Sequence, residues 1–354
     1  MGINQGLATV SGDFTIAALL IYSLAVLAFA GDLAFGRPRR AAAASAASAA
    51  SSTARERVAE LATVGGSSSG ASPAPAAPSG AASAELPARR VPFFRALRDA
   101  GPWVRLAVAL SVAGVTAHLV AVTARGFAAH RTPWGNMYEF ITALTCIAAI
   151  FFVYVMVRYR AWILGIWVVG AVVLALGLAE TVIYTPAGPL VPALQSYWLS
   201  IHVTAMTLAS GIFFVAAVLG VLYLVADRYR ARIEAGKAVS GGNGLLDRIP
   251  SAAQLDKLTY RTVIFGFPVW TFGVIAGAIW ADEAWGRYWG WDPVETWAFI
   301  TWVLYAAYLH ARATAGWRGR RAHYIQLLGF ASLITNMLVI QIFVTGMHSY
   351  AGVS

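Results

Sequence analysis

The sequence predicts an all-α polytopic membrane protein of about eight transmembrane helices, with both termini outside and a tryptophan-rich external loop. Three observations predict it. Hydrophobic residues make up 59% of the chain and charged residues 12%, far from the balance of a soluble domain. Several apolar runs reach the roughly 20 residues needed to cross a hydrocarbon core of about 30 Å. In lipid such runs are helices, because every backbone group must be satisfied internally. Basic residues alternate sharply between the segments that join the runs. A soluble enzyme is excluded.

Taken in order, the first span covers about 14–35. Its leader, Met1 to Asp13, holds no Lys or Arg, while Arg37, Arg39 and Arg40 follow it. Residues 1–35 therefore read as an N-out anchor rather than a cleaved signal peptide. Residues 36–100 read as a disordered Ala/Ser/Pro-rich cytoplasmic linker, partly helical over Ala41–Ala62. Its stretches Ser67–Gly70 and Pro73–Pro75 cannot bury enough apolar surface to offset ordering entropy. The main transmembrane domain is 101–354, with spans at about 103–124, 137–157, 162–180, 198–226, 261–281, 294–311 and 324–346. Its loop 227–260 carries Gly241–Gly244 and a short amphipathic stretch, Leu245–Leu258. The single cysteine, Cys146, lies within a span, so the chain has no internal disulfide and no CxxC motif.

This layout puts 23 of the 26 basic residues on one side, leaving Arg125, Arg131 and Arg287 on the other. That is the positive-inside pattern, and it sets both termini outside. The net charge of +10 then reflects topology and contact with anionic membrane lipids, with no nucleic-acid partner.

Residues 285–297 read Trp-Gly-Arg-Tyr-Trp-Gly-Trp-Asp-Pro-Val-Glu-Thr-Trp and fall outside, between spans six and seven. Asp292, Pro293 and Glu295 predict a helix start, with N-cap, N1 and N3 filled by favoured residues. Trp285, Trp289 and Trp291 then precede the helix in a loop spaced by Gly286 and Gly290, and Trp297 lies on its first turns. An interfacial aromatic belt accounts for two tryptophans. Four, with a tyrosine and glycine spacers, suit a large planar apolar ligand whose edges need a few polar groups. Arg287 suits an anionic edge.

This string resembles the WWD signature of the haem-handling protein family. Within it the match is to the system II cytochrome c biogenesis subunit of the CcsA or ResC type, called CcsB in some bacteria. Asn136–Phe140, Leu194–His202 and Gly346–Tyr350 support it in the right order, and the resemblance covers roughly 100–354. It makes 101–354 a haem-handling domain.

Six histidines invite ligand roles, and each has an ordinary structural reading as well. His202 falls in the first turn of span five and His348 just beyond span eight, both at the depth of the tryptophan loop. Two facing imidazoles are what a six-coordinate haem iron requires, and the resemblance implies that these two are the axial ligands of an external haem. His310 ends span seven, about 27 Å of helix rise from Asp292. Alone it reads as a helix C-terminal histidine meeting the dipole. The resemblance implies a transmembrane haem ligand completed by a partner, with Arg312 as a propionate neighbour. His118 reads as a packing or hydrogen-bonding residue, His130 as a surface residue, and His323 as facing water or lipid phosphate.

The function so implied is haem transport and presentation within the membrane cytochrome c synthase, a holocytochrome c haem lyase complex with a ResB-type subunit. Haem b is the transported substrate in the inner (cytoplasmic) membrane. It enters near His310 and is held on the external face by His202 and His348 under Trp285, Arg287, Trp289, Trp291, Asp292 and Trp297. An apocytochrome c with a CxxCH motif adds its thiols, and a separate thiol-disulfide reductant keeps them reduced. A cytochrome b-like electron carrier would stack two histidines on one span, and no span here has two. An ion-coupled transporter would carry ionisable groups at mid-depth, whereas Glu139, Glu180 and Asp227 fall near span ends.

Overall fold

The computed structural model describes residues 2–64, with side chains to 36, and 93–189, 194–236, 246, 249–314 and 316–348. In chain order the helices are α1 (Gln5–Val64), α2 (Phe93–Asp99), α3 (Pro102–Ala128), α4 (Met137–Tyr159), α5 (Gly165–Val182), α6 (Tyr197–Glu234), α7 (Ala252–Trp285), α8 (Pro293–Ala313) and α9 (Arg320–Thr335). A π-helical turn at Asn336–Ile340 and a short α10 (Gln341–Phe343) continue α9. Among the described residues, seven helices are long and apolar enough to cross a membrane, the last counted as Arg320–Phe343. The expected span over 294–311 is α8, a 21-residue helix of lower mean hydropathy, because Trp297, Trp302, Tyr305, Tyr308 and His310 interrupt its aliphatic residues.

Capping residues set the ends. Asn136 accepts from the Glu139 N–H at 2.9 Å, Ser196 from the Trp198 N–H at 3.1 Å, and Ser251 forms a capping box with Gln254. Three helices overrun the expected spans. α1 stays helical past 35 to Val64, α6 runs on to Glu234, and α7 begins at Ala252. Polar residues continue a helix as well as apolar ones do once a span has started it, so the apolar run marks the span and not the helix end. The linker stretch 65–92, the glycines 241–244 and residues 349–354 lie outside the described residues.

The chain divides into two compact units, Met1–Phe29 with Leu106–Ser354, and Ala30–Arg105. Within the smaller, Phe35 stacks on Trp103 at 6.1 Å between ring centres, and the absence of a side chain at Gly31 makes room for that indole. In the larger, α6 and α7 form the central pair, α4 and α9 pack on α6, and α8 packs between α7 and α9. Phe213 of α6, Trp270 of α7 and Tyr305 of α8 meet in its core; the Phe213 and Tyr305 rings stack at 3.8 Å.

Contacts at the helix ends sort the larger unit into two faces. At one, Arg312 pairs with Asp256 at 2.5 Å, Arg320 pairs with Asp227, and Arg228 donates to the Tyr324 hydroxyl at 3.2 Å. At the other lie the tryptophan loop and a buried clamp on Glu139. Arg125 Nε reaches one Glu139 oxygen at 2.9 Å, while Arg131 Nη1 and the Gly135 N–H reach the other at 2.7 Å each. The Asn4 N–H bonds the Ala128 carbonyl at 2.9 Å, so both described chain ends lie at the tryptophan-loop end.

Candidate haem cleft

Trp285 ends α7, and Gly286 turns the chain in the left-handed region (φ +68°), where a side chain costs energy. The loop then folds back onto α8. Glu295 Oε2 accepts from the N–H groups of Gly290, at 2.9 Å, and Asp292, at 3.1 Å. Arg287 lies along this turn with Nη1 3.6 Å from Glu295 Oε1 and its guanidinium 5.9 Å from the Trp285 ring centre. A side chain at Gly290 would coincide with that guanidinium. The predicted α8 cap is present: Asp292 at N-cap, Pro293 at N1, and Glu295 completing a capping box.

Asp292 does more than cap. Its buried carboxylate accepts from Val294 N–H at 3.2 Å and Met347 N–H at 2.6 Å, and from His348 Nδ1 at 2.8 Å. Burial pushes this carboxyl up, but the His348 hydrogen bond, helped by the Met347 and Val294 N–H groups and the neighbouring imidazole charge, outweighs it. The carboxyl ends below its ordinary range. One aspartate thus ties the start of α8 to the residues after α10.

His202 is held from the other side. Its Nδ1 lies 2.7 Å from the Gly273 carbonyl of α7. A carbonyl only accepts, so in the neutral ring Nδ1 carries the proton and Nε2 the lone pair. The close approach depends on Gly277, where a Cβ would sit 2.5 Å from His202 Nδ1. Trp280 lies parallel to His202 at 6.1 Å and meets His348 edge-on at 5.8 Å, and Trp285 meets His348 at 5.1 Å. Both imidazoles therefore contact one indole.

His202 and His348 both line a single cleft of about 1170 Å³, counted to its mouth, with Trp134, Trp270, Trp280, Trp285, Tyr288 and Trp289 among its walls. The buried indole N–H groups of Trp134 and Trp270 and the Oδ1 of Asn336 have no protein partner there, so the walls combine flat apolar faces with a few unmet polar groups. That suits a large planar molecule with polar edges.

The sequence-predicted site residues divide. His202, His348, Trp285 and Trp289 line the cleft. Asp292 and Arg287 stand behind it, one holding His348 and the other bracing the loop. Trp291 is 65% exposed on the outer side of the loop, packed against Trp289 at 5.8 Å and Phe299 at 6.1 Å. Trp297 lies half-buried on α8 and is not among the lining residues. His310 is at the opposite end of α8 with its ring exposed. Arg312, expected as a propionate neighbour, is committed to Asp256 and lies 4.6 Å from the Tyr260 ring centre. His118 packs against Tyr22 at 5.9 Å, and neither ring nitrogen is hydrogen-bonded. His323 corrects its expectation. It is fully buried and stacked on Tyr223 at 3.7 Å, because it falls on the face of α9 that packs on α6.

Trp280, Gly273 and Gly277 escaped notice in the sequence. A tryptophan inside a span reads as an anchor, and only the Gly273/Gly277 spacing on one face of α7 hinted at a close neighbour.

Residues 134–348 match the model of a family described as cytochrome C assembly protein. Among curated relatives, the cytochrome c biogenesis protein CcsA of Guillardia theta is 38% identical over 235 residues, covering 62% of this chain and 76% of that protein. The protein of the same name from Synechococcus sp. (strain CC9902) is 35% identical over 281 residues, covering 73% and 90%. A solved structure titled cytochrome c heme lyase CcmF superposes with a TM-score of 0.57 at 16% identity, over 96% of this chain and 47% of that one. At that identity the likeness is one of fold.

Proposed function

The chain belongs to the cytochrome c assembly protein family, and from that premise we propose that it carries haem to one face of the cell membrane and presents it there for attachment to apocytochrome c. Its part in cytochrome c biogenesis follows from the family; transport and presentation are the finer reading. The observation that carries it is the pairing of His202 and His348 in one aromatic cleft, each with Nδ1 engaged. A backbone carbonyl or carboxylate on Nδ1 fixes the ring, sets its tautomer and favours ligation through Nε2. Two such imidazoles hold haem iron from opposite faces, with Trp280, Trp285 and Trp289 as walls.

The cleft's contribution is positioning and exclusion of water. Each cysteine thiol of a CxxCH segment adds across a haem vinyl group: sulfur bonds to the carbon next to the ring, and the thiol proton passes to the terminal carbon. Nothing is oxidised or reduced, so the thiols must arrive reduced, from a separate thiol-disulfide partner. His310, exposed on the last turn of α8, would share a second haem with a ligand from a ResB-type subunit on the way to the cleft.

The test is the absorption spectrum of the chain co-purified with its partner. His202→Ala and His348→Ala are expected to lose the bis-imidazole ferrous bands of the cleft haem and to stop cytochrome c maturation, with partial rescue by added imidazole. Unchanged bands and full maturation in the double variant would remove both residues from the site.

A further inference from the structure

Below the cleft, α8 and α9 face each other with buried polar side chains in register. Thr301, Tyr305, Tyr308 and Arg312 recur at three- to four-residue spacing on α8. His323, Gln326, Ser332 and Asn336 recur along α9. The seven uncharged or histidine side chains of this set are at most 5% exposed. From His323 to Asn336 the row rises about 20 Å.

Toward its ends most groups are satisfied by protein. Thr301 and Ser332 hydroxyls meet at 2.9 Å, Asn336 Nδ2 donates to the Val294 carbonyl at 3.2 Å, and Asp256 holds Arg312 with His323 3.7 Å away. The middle is not. The hydroxyls of Tyr305 and Tyr308, both amide atoms of Gln326 and Nε2 of His323 are fully buried without a protein partner. The Tyr305 hydroxyl and the Gln326 side chain make a weak hydrogen-bonding contact with each other, short of the geometry of a full bond. In a dry bundle each polar atom left without a full hydrogen bond destabilises the fold, and together these five call for a ligand that both donates and accepts. Glycines let these side chains into the seam: a Cβ at Gly220 of α6 would overlap Gln326 Oε1, and one at Gly329 would press on the Tyr305 ring at 3.2 Å. The upper end reaches Asn336, whose Oδ1 is also unpartnered and which lines the cleft.

We propose that this seam is a water-binding site: a file of internal waters among α6, α8 and α9 that joins Asp256 and His323 to the floor of the cleft and gives the cleft a proton path from the arginine-rich end. Water supplies two to four hydrogen bonds per molecule, which matches the mixed donors and acceptors left open. Phenol and imidazole groups joined by water relay a proton by taking one up from the neighbour below and releasing another to the neighbour above, so that a single excess charge travels along the file while the groups it has left return to neutral. This reading does not depend on what the cleft holds.

The test is radiolytic hydroxyl-radical labelling of the full chain in lipid vesicles, in which bound water is converted to label in place. Tyr305 and Tyr308 are expected to label about tenfold faster than Phe152, which is equally buried among apolar residues and has no polar atom to order a water. Gln326→Leu should cut labelling of both tyrosines several-fold while leaving exposed Tyr288 unchanged, which also reports that the variant is folded. Tyr305 and Tyr308 labelling no faster than Phe152 overturns the water site. For the proton path, vesicles holding a pH-sensitive dye are given a potassium diffusion potential. Internal acidification should be several-fold faster with the wild-type chain than with Gln326→Leu, and equal rates overturn the path.

Discussion

His348 depends on Asp292, and that dependence can be measured. Asp292→Asn keeps the N-cap but removes the charge from His348 Nδ1; haem affinity at the cleft is expected to fall about 10- to 100-fold, read by haem titration. The linkage has a definite sign. The Asp292 carboxyl titrates below its ordinary 3.8 in the folded chain, so its contribution to stability is complete above that value and fades as pH falls through the lower one. The difference in melting temperature between wild type and Asp292→Asn should therefore be constant from pH 7 to 5 and shrink below about pH 4. Gly277→Ala tests the opposite wall: its Cβ would displace His202, and cleft haem should drop while far-ultraviolet helicity is unchanged. That His202 and His348 share the depth of the tryptophan loop could be read from charge alternation, while their pairing as ligands came from the family resemblance. What sits behind them could not be read, since the spacing along one helix carries no record of which carbonyl or glycine a second helix supplies.

The elements show the same divide. The α8 cap was legible to the residue, because Asp and Glu at those positions supply acceptors for the first N–H groups and Pro at N1 has no N–H to leave unpaired. The tryptophan loop was legible as a loop, but not its two-sidedness. Gly286 and the left-handed backbone at Trp291 (φ +58°) turn Trp285 and Trp289 toward the cleft and Trp291 away from it. Glu295→Ala would leave the Gly290 and Asp292 N–H groups without an acceptor, costing about 1–3 kcal/mol, and should loosen the loop enough to raise proteolysis near Gly290. Glu139→Leu strips the partner from two largely buried arginines, whose side chains are 6% and 12% exposed. A loss of about 3–5 kcal/mol is expected, seen as a lower thermal midpoint.

At the scale of the molecule, positive-inside counting predicts that the N-terminus, the tryptophan loop and the end of α10 share the outer face. Single cysteines placed at Gly2, Tyr288 and Met347 should all react with an impermeant maleimide in intact cells, and one at Gly236 should not. Protection of the first three would invert the proposed orientation. His310→Ala should lower total haem, the cleft included, if haem enters at the arginine-rich end; normal cleft haem in that variant would reject the route. The fold class was readable because a hydrocarbon core imposes one solution on any long apolar run. The water seam was not, because polar residues three or four apart look the same whether they face each other or the lipid.

The π-helical turn at Asn336–Ile340 lodges one extra residue in a helix that otherwise advances 100° per residue. Excising Val339, which is 46% exposed, would let the turn relax to plain α geometry and leave everything beyond it in phase. A residue removed from the regular turns of α9 would instead swing the chain beyond it through about 100°, and the Asp292 contact to His348 could not survive that. Chain length is therefore forgiving at the bulge and strict on the side that leads to it.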